Sequence, residues 1–318
     1  MLKHPGKKYY AKILLFGEYT VVIDSPALTI PYRNLSGSLM FPDDHINSES
    51  VNAENSTVLI KKFAGYIKEM QKKRKLKYPI LTDRLNEDLE HGLFFMSDIP
   101  IAYGVGSSGA LCAAIFDNYC VDPPELNNDI SDHRLIFLKQ EFALLESYFH
   151  GRSSGIDPLS CYINQPLVFR ENQIIIRITL PELEENFSFF LADTRIVADT
   201  GPLVKWFMDQ QNKEYYRSGI TGKLIPVVEQ SIRLLIDGNS NELFERFKTL
   251  SLLQSDYFSK MIPAVFMIFW EYGLTSELFY LKLCGSGGGG FLLGYTRDII
   301  QTEEYFSSEG IKIYKIRI

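Results

Sequence analysis

The sequence has few cysteines, and none of them has a spacing that indicates a metal or redox site. The 318 residues include four cysteines, which form no CxxC pair and have no histidine near them at zinc-like spacing. Two disulfides are possible by number, but a chain of this size does not need them. Reduced thiols are therefore the simpler interpretation, and we expect a cytoplasmic protein.

The sequence also lacks an apolar run long enough to cross a membrane. The longest run, residues 261–270, contains Pro263, and a spanning helix needs about twenty residues. We expect this run to be a buried helix. The apolar run near the N-terminus is short and meets Glu18 at once, which argues against a signal peptide. No membrane partner is predicted.

An excess of positive charge is missing as well. The formal net charge of −6 argues against general nucleic-acid binding, which relies on Lys and Arg to neutralise phosphates. It does not exclude a local phosphate site, because backbone N–H groups can supply one. A basic run ends the amphipathic helix predicted over residues 57–77, and it favours a solvated helix face over a binding patch.

The hydrophobic pattern predicts both helices and strands. Residues 110–119 are rich in Ala and Leu, which predicts a buried helix, and residues 132–149 have helical spacing. The Gly151 that follows can provide a left-handed cap. Strand-like segments, several of them bounded by turn residues, lie at residues 13–16, 20–23, 27–30, 166–170, 173–180, 187–192 and 311–318.

The length of the chain predicts two domains. We place the boundary in the polar connection at residues 182–186, which gives a domain of residues 1–184 and a domain of residues 185–318. Helices alternate with strands in the second half. This alternation implies α/β layers with mixed or antiparallel sheets rather than one long parallel sheet.

The strongest local signal is a glycine- and serine-rich turn at residues 104–109, the first glycine segment, which leads directly into a predicted helix. Such a turn presents backbone N–H groups at the positive end of a helix dipole, where anions bind. Ser107 and Ser108 can cap the helix, donate to a phosphate or ligate a metal. The alternative is a turn with an N-cap serine and no ligand. The Lys of a Walker A motif is missing, and the dinucleotide fingerprint does not fit.

A second glycine segment covers residues 285–290, where five of six residues are glycine. So many glycines carry a high cost in chain entropy, and they seldom persist merely as a hairpin turn. A flexible linker is the alternative. The apolar residues Leu281, Leu283 and Phe291 on its two sides disfavour that alternative.

A pair of acids forms the third signal. Glu146 and Asp157 are eleven residues apart (157 − 146 = 11), with a predicted helix end and a turn between them. Two acids connected in this way can point into one pocket, one for a cation and one for a proton. The alternative for Asp157 is a helix N-cap followed by Pro158 at the first helical position. His150 is more often a helix-end residue than a catalyst.

These three segments, in this order, resemble the three motifs of the GHMP kinase superfamily. AKILLFGEY, VVIDSPALTIP, HGRSSGID and DTRIVADTGPLV also resemble the mevalonate kinase branch of that superfamily. The resemblance implies an α+β fold with an N-terminal domain like ribosomal protein S5 domain 2 and a C-terminal ferredoxin-like domain. It further implies that ATP and substrate lie in the cleft between these domains.

The resemblance implies an ATP- and Mg²⁺-dependent kinase that phosphorylates the hydroxyl of a small molecule, with mevalonate as the first candidate. Asp157 would receive the hydroxyl proton beside Lys12, and Ser108 and Glu146 would bind Mg²⁺. The nucleotide-binding residues implied are Gly104, Gly106, Ser107, Ser108, Gly109, Ala110, Gly285, Gly287 and Gly288. The substrate-binding residues implied are Glu18, Tyr19, His150, Gly155, Arg195 and Thr200.

Departures from the family pattern leave the acceptor open. Tyr19 stands where the family usually has His, and Ala198 stands where mevalonate kinases tend to carry a basic residue, with Arg195 nearby. Phosphomevalonate or a sugar is the alternative acceptor. A non-catalytic ligand-binding relative is the alternative of another class, and the retained Lys12 and Asp157, together with Glu146, argue against it. Monomer and homodimer both remain open.

Overall fold

The computed structural model describes residues 2–42, 51–126, 133–171, 174–197 and 200–318. The chain forms two compact units. The first unit comprises Met1–Lys12, Pro31–Pro100 and Gly106–Asn164, and the second unit comprises Ile13–Ile30, Ile101–Val105 and Gln165–Ile318. Residues 13–30, 101–105 and 165–184 thus fall in the second unit, although the sequence placed them in the N-terminal domain. The domain boundary at residue 184 stays a prediction.

The described residues combine helices with antiparallel strands, as the α+β prediction requires. The strands are β1 (Tyr9–Phe16), β2 (Ala27–Met40), β3 (Phe94–Ser97), β4 (Leu167–Arg170), β5 (Ile174–Arg177), β6 (Ser188–Asp193), β7 (Phe279–Leu283), β8 (Phe291–Thr296) and β9 (Ile313–Ile316). The helices are α1 (Val51–Lys72), α2 (Thr82–Glu90), α3 (Ser107–Tyr119), α4 (His133–His150), α5 (Ile156–Ile163), α6 (Thr200–Gln211), α7 (Glu214–Gly219), α8 (Ile225–Ile236), α9 (Ser240–Tyr257), α10 (Met267–Ser276) and α11 (Ile299–Ser308).

In the first unit, β3 pairs antiparallel with the end of β2, and helices surround a core built on α3. Eleven residues of α3, from Gly109 to Tyr119, are buried. The small side chains near its start allow α5 to approach closely. Helix α4 ends at His150, and Gly151 follows with a φ of 71°. This end confirms the predicted glycine cap.

In the second unit, β4 pairs antiparallel with both β2 and β5, and a separate four-stranded sheet has the order β7-β8-β6-β9. All pairs of the four-stranded sheet are antiparallel. Aromatic side chains fill its core, and the ring centroids of Phe189 and Tyr295 lie 4.4 Å apart. Such pairs add to the stability that burial provides.

Two local predictions were wrong. Thr20–Ile23 forms a 3-10 helix rather than a strand, because the residues on either side, Tyr19 and Asp24, have φ values of 62° and 63°. The apolar run 261–270 is not one buried helix. It breaks around Pro263, and Val265 and Ile268 are each 66% exposed.

Within the described residues, none of the helices has both the length and the hydropathy that crossing a bilayer requires.

Candidate active site

An ion pair in the first unit joins the two residues for which the sequence predicted a role in catalysis. Lys12 lies on β1 and is only 2% exposed, and its Nζ is 3.0 Å from Oδ1 of Asp157. The Asp157 side chain remains 34% exposed. A buried cation beside a partly exposed carboxylate can stabilise negative charge while the carboxylate still reaches a ligand.

Asp157 does not serve as a helix cap. Helix α5 begins at Ile156, its N-cap is Gly155, and no side chain makes a capping hydrogen bond there. Asp157 is therefore the second residue of the helix, and Pro158 is the third. The capping alternative from the sequence is wrong, and the side chain is directed to Lys12 instead.

Gly155 fixes where α5 begins. It has a φ of 74°, and an added Cβ would lie 2.0 Å from the carbonyl oxygen of Lys139 and 2.7 Å from the backbone nitrogen of Ala143, both on α4. Only glycine allows this approach, because backbone atoms cannot move aside. The predicted substrate contact of Gly155 is untested, and its visible role is to bring Asp157 into place.

The first glycine segment ends in the N-terminal turn of α3. Gly106 is the N-cap with a φ of 83°, so neither serine caps the helix. The first backbone bond of the helix runs from Ala110 N–H to the Gly106 carbonyl, at 2.9 Å. The N–H groups of Ser107, Ser108 and Gly109 precede that bond, and they are the first-turn donors with no partner in the helix itself.

Glycine in this turn also makes room for the ion pair. A Cβ on Gly106 would lie 3.0 Å from Cγ of Lys12, and a Cβ on Gly109 would lie 2.8 Å from the carbonyl carbon of Asp157. The start of α3 therefore lies directly against Lys12 and the start of α5. The structure brings residues 106–109 of the predicted phosphate turn and the predicted catalytic pair together within one unit.

The predicted metal residues lie in the same unit. Ser108 Oγ donates to Oε1 of the buried Glu146, at 2.9 Å, and lies 3.0 Å from Nε2 of His150. Ser153 Oγ donates to the other carboxylate oxygen of Glu146. Helix α4 thus carries Glu146 and His150 to the Ser108 side chain, and the turn before α5 supplies Ser153.

Burial, together with the negative charge of Asp157, raises the pKa of Glu146 to about 7, although the bonds from Ser153 and Ser108 and the charge of Lys12 act to lower it. An added cation would offset both the burial and the repulsion. Mg²⁺ prefers oxygen ligands and usually takes one or two carboxylates together with substrate phosphates. The oxygens of Glu146 and Ser108 fit that preference.

Within the described ranges, no group of three or more His, Cys, Asp or Glu side chains could hold a metal ion.

The second glycine segment, in the second unit, uses its glycines differently. A Cβ on Gly285 would lie 2.9 Å from Cα of Gly104, and one on Gly287 would lie 2.6 Å from the carbonyl oxygen of Met261. The Gly288 N–H donates to that same Met261 carbonyl. The linker alternative does not fit these contacts, since the segment packs against protein backbone. The nucleotide contacts of Gly104, Gly285, Gly287 and Gly288 stay predictions.

Glu18 and Tyr19, both predicted to bind substrate, are buried in the second unit. Glu18 forms an ion pair with Lys282. The Tyr19 hydroxyl donates to the carbonyl oxygen of Ser286 at 2.5 Å, and burial raises the pKa of this tyrosine. Their substrate contacts stay predictions, and both side chains have protein partners.

Arg195 is exposed just beyond β6, in the second unit. It has a φ of 55°, and its backbone N–H donates to Oδ1 of Asp193 at 2.9 Å. Helix α6 begins at Thr200, but the Thr200 side chain and the whole of Ala198 lie outside the described residues. The substrate contacts of Arg195 and Thr200 stay predictions.

Two residues of these clusters were missed from the sequence. Ser153 contacts Glu146 and also accepts the Gly155 N–H at 2.9 Å. The Ser-Ser-Gly pattern before a helix is a serine-turn signal that could have found it. Lys282 lies fully buried on β7, and no sequence pattern separates a buried strand lysine from an exposed one.

Comparison with known proteins gives no matching family model. A curated mevalonate kinase from Dictyostelium discoideum is 26% identical over 233 residues, which cover 62% of this chain and 55% of that protein. The match therefore spans about half the length of that relative.

Solved structures match over nearly the whole chain. The L. major mevalonate kinase in complex with R-mevalonate has a TM-score of 0.67 at 17% identity, and the match covers 100% of this chain and 99% of that one. The Streptococcus pneumoniae phosphomevalonate kinase in complex with phosphomevalonate and AMPPNP has a TM-score of 0.65 at 15% identity, covering 98% and 99%. At sequence identities this low, the structural similarity shows only that this chain shares their fold.

Proposed function

We propose that this chain, a relative of the GHMP kinase superfamily with its α+β two-domain fold, transfers the γ-phosphoryl group of ATP to the hydroxyl of a small molecule. One observation carries the proposal. The buried Lys12 and the partly exposed Asp157 form a 3.0 Å ion pair, and the start of α3 lies against both residues because Gly106 and Gly109 lack a side chain. The mevalonate kinase relative supports the same reaction class.

In the proposed reaction, a bond forms between the acceptor oxygen and the γ-phosphorus while the bond from that phosphorus to the β,γ-bridging oxygen breaks. The products are a phosphomonoester and ADP. Asp157 accepts the acceptor's proton late, because a carboxylate is too weak a base to deprotonate an alcohol in advance. Lys12 stabilises the negative charge that develops beside it. Phosphoryl transfer asks mainly for such positioning and charge stabilisation.

The N–H groups of Ser107, Ser108 and Gly109 bind phosphate oxygens at the positive end of the α3 dipole. Ser108 and Glu146 would hold Mg²⁺, which neutralises phosphate charge when it is bound. His150 lies against the Ser108 hydroxyl and restricts its orientation.

Mevalonate is the first candidate acceptor, and phosphomevalonate is the second. The curated relative favours mevalonate. The nearly equal TM-scores of the mevalonate and phosphomevalonate kinase structures, together with tyrosine at position 19, keep phosphomevalonate as a candidate. The exposed Arg195 suits an anionic group on either acceptor.

The test is a coupled ADP-release screen with Mg·ATP over mevalonate, phosphomevalonate, homoserine and common sugars. We expect one acceptor to support turnover, and Asp157→Asn to lower kcat about a thousandfold, since general-base groups contribute about 10²–10⁴. Binding of Mg·AMPPNP should stay within about tenfold of wild type, because this substitution removes the base without filling the phosphate turn.

Asp83→Asn provides the matched control. Asp83 also lies in the first turn of a helix, α2, and also pairs with a lysine, with its Oδ1 2.9 Å from Lys68 Nζ, but both side chains are exposed. It should retain wild-type turnover. Wild-type turnover in Asp157→Asn, or a wild-type protein that binds Mg·ATP and phosphorylates none of the acceptors, would count against the kinase proposal.

A further inference from the structure

Lys282 is a buried charged group of the second unit for which the sequence predicted no role. It lies on β7 with its side chain fully buried. Its Nζ pairs with Oε1 of Glu18 and donates to the backbone oxygen of Leu283 at 2.6 Å. A buried ammonium group needs such partners, because leaving water is costly for a charge. The pair therefore joins the segment after β1 to the end of β7.

The end of β7 leads directly into the second glycine segment, and a second buried polar group holds it there. The Leu283 N–H donates to Oε1 of Gln254 at 2.8 Å, and Gln254 is buried on α9. Both backbone groups of Leu283 are thus bonded to buried side chains. The position from which the glycine segment starts is fixed by Lys282 and Gln254.

Tyr19, the neighbour of Glu18, bonds to the glycine segment itself. Its hydroxyl donates to the Ser286 carbonyl at 2.5 Å, and its ring packs between Phe207 and Phe258 with centroid distances of 5.1 Å to each. Its φ of 62° is uncommon for a residue with a side chain. Such backbone conformations persist only where surrounding contacts determine them.

We infer that the Glu18–Lys282 pair and the Tyr19 hydroxyl hold the second glycine segment in one conformation. Without these contacts the segment would keep the backbone freedom that glycine allows. The residues Gly285, Gly287, Gly288 and Gly290 all have positive φ. In this arrangement Glu18 and Tyr19 act on the segment through Lys282 and the Ser286 carbonyl.

The test measures amide hydrogen exchange of residues 284–291 in the full chain. Tyr19→Phe keeps the ring and removes only the hydroxyl, and we expect exchange of this segment to rise about fivefold, as expected for one lost hydrogen bond. Glu18→Gln with Lys282→Met replaces both members of the buried pair, which leaves no unpaired charge. We expect a rise of about tenfold there.

Two controls separate this local role from general stability. Tyr216→Phe removes another tyrosine hydroxyl that donates to a backbone carbonyl in the second unit, that of Tyr257 at 3.0 Å. Lys248→Met removes an ion pair with Glu277, next to the opposite end of β7. Neither should change exchange of residues 284–291.

Unchanged segment exchange in Tyr19→Phe would overturn the inference even if the double variant fails to fold.

The exchange measurement needs no substrate, so it stands apart from the kinase proposal. Faster segment exchange in a protein without phosphoryl transfer would support the holding role and count only against the proposed function.

Discussion

Two glycine-rich segments look alike in the sequence, but the structure uses their glycines for different purposes. In the first segment, Gly106 and Gly109 make room for Lys12 and for the backbone at Asp157, so a helix N-terminus lies against an ion pair. In the second segment, glycines allow one backbone to pack on another, and the Gly288 and Gly290 N–H groups donate to the carbonyls of Met261 and Ile196.

A run of glycines therefore indicates that other atoms approach the backbone closely, but it does not identify those atoms. Where the N–H groups at the start of a helix have no partner within the helix, an anion is a natural partner. Where the N–H groups are already bonded to carbonyls, as at Gly288 and Gly290, the glycines serve the packing of the protein.

Among substitutions in the two glycine segments, Gly109→Ala should have the largest effect on activity. The added Cβ would lie 2.8 Å from the Asp157 carbonyl carbon and 2.9 Å from the Pro158 nitrogen, so α5 must shift and Asp157 must move with it. We expect kcat to fall about a hundredfold, as a misplacement of about 1 Å can cause. Steady-state kinetics would measure the change.

Gly65→Ala is the control for that variant, since Gly65 is also helical and an added Cβ there meets nothing within 4 Å. It should keep wild-type kcat and raise the free energy of unfolding by about 0.5–1 kcal/mol. Wild-type kcat in Gly109→Ala would break the comparison.

Gly290→Ala should act on stability. Gly290 has a φ of 66°, and an added Cβ would lie 2.5 Å from Cα of Tyr103. We expect the free energy of unfolding to fall by about 2–3 kcal/mol, from backbone strain and overpacking together. Urea unfolding would measure it.

Gly310→Ala isolates the effect of backbone strain, because Gly310 has a similar φ of 70° and open space around it. Its free energy of unfolding should fall by only about 1–2 kcal/mol. Equal losses in the two variants would mean that the close approach to Tyr103 contributes nothing.

The sequence was informative where local chemistry decides the structure. Residues 110–119 were predicted as a buried helix, and α3 includes them, because Ala and Leu favour a helix and apolar side chains favour burial. The turn before α3 was recognised from its glycine and serine residues, and the pairing of the two acids from their spacing. Their specific roles followed from resemblance to a family.

Sequence reasoning failed where distant contacts decide. Thr20–Ile23 has the apolar pattern of a strand, but the positive φ of Tyr19 bends the chain into a 3-10 helix. The boundaries of α5 excluded the capping role for Asp157. Lys282 was not found because its burial depends on Glu18, which lies 264 positions away.

The pH dependence of stability should reveal the buried Glu146, which contacts Ser108 of the first glycine segment. Because the pKa of Glu146 is raised to about 7, the folded protein keeps a proton that the unfolded chain, with an ordinary pKa of about 4.5, has lost. Between these values the folded state binds more protons, so stability falls as pH rises. We expect the metal-free protein to lose about 2 kcal/mol between pH 5 and pH 7.

Glu146→Gln should remove most of that slope in urea unfolding measured at several pH values. Stability that is independent of pH over this interval in the wild type, or a slope that persists in Glu146→Gln, would contradict the assignment of the raised pKa to Glu146.

Ser108→Ala should have a smaller effect, confined to the first segment. It removes the hydroxyl that lies 2.9 Å from Glu146 and 3.0 Å from His150. We expect the Mg·ATP KM to rise about tenfold, as for one lost charge-assisted contact. Ser160→Ala on α5, whose hydroxyl donates to the Ile156 carbonyl, should leave that KM unchanged. An unchanged Mg·ATP KM in Ser108→Ala would remove Ser108 from the nucleotide site.

Amide hydrogen exchange with and without saturating Mg·AMPPNP tests most directly whether the N-terminal turn of α3 holds the phosphates. We predict slower exchange at residues 106–110 when the nucleotide is present, with a smaller change at residues 285–290. Binding of the nucleotide without protection of residues 106–110 would contradict it.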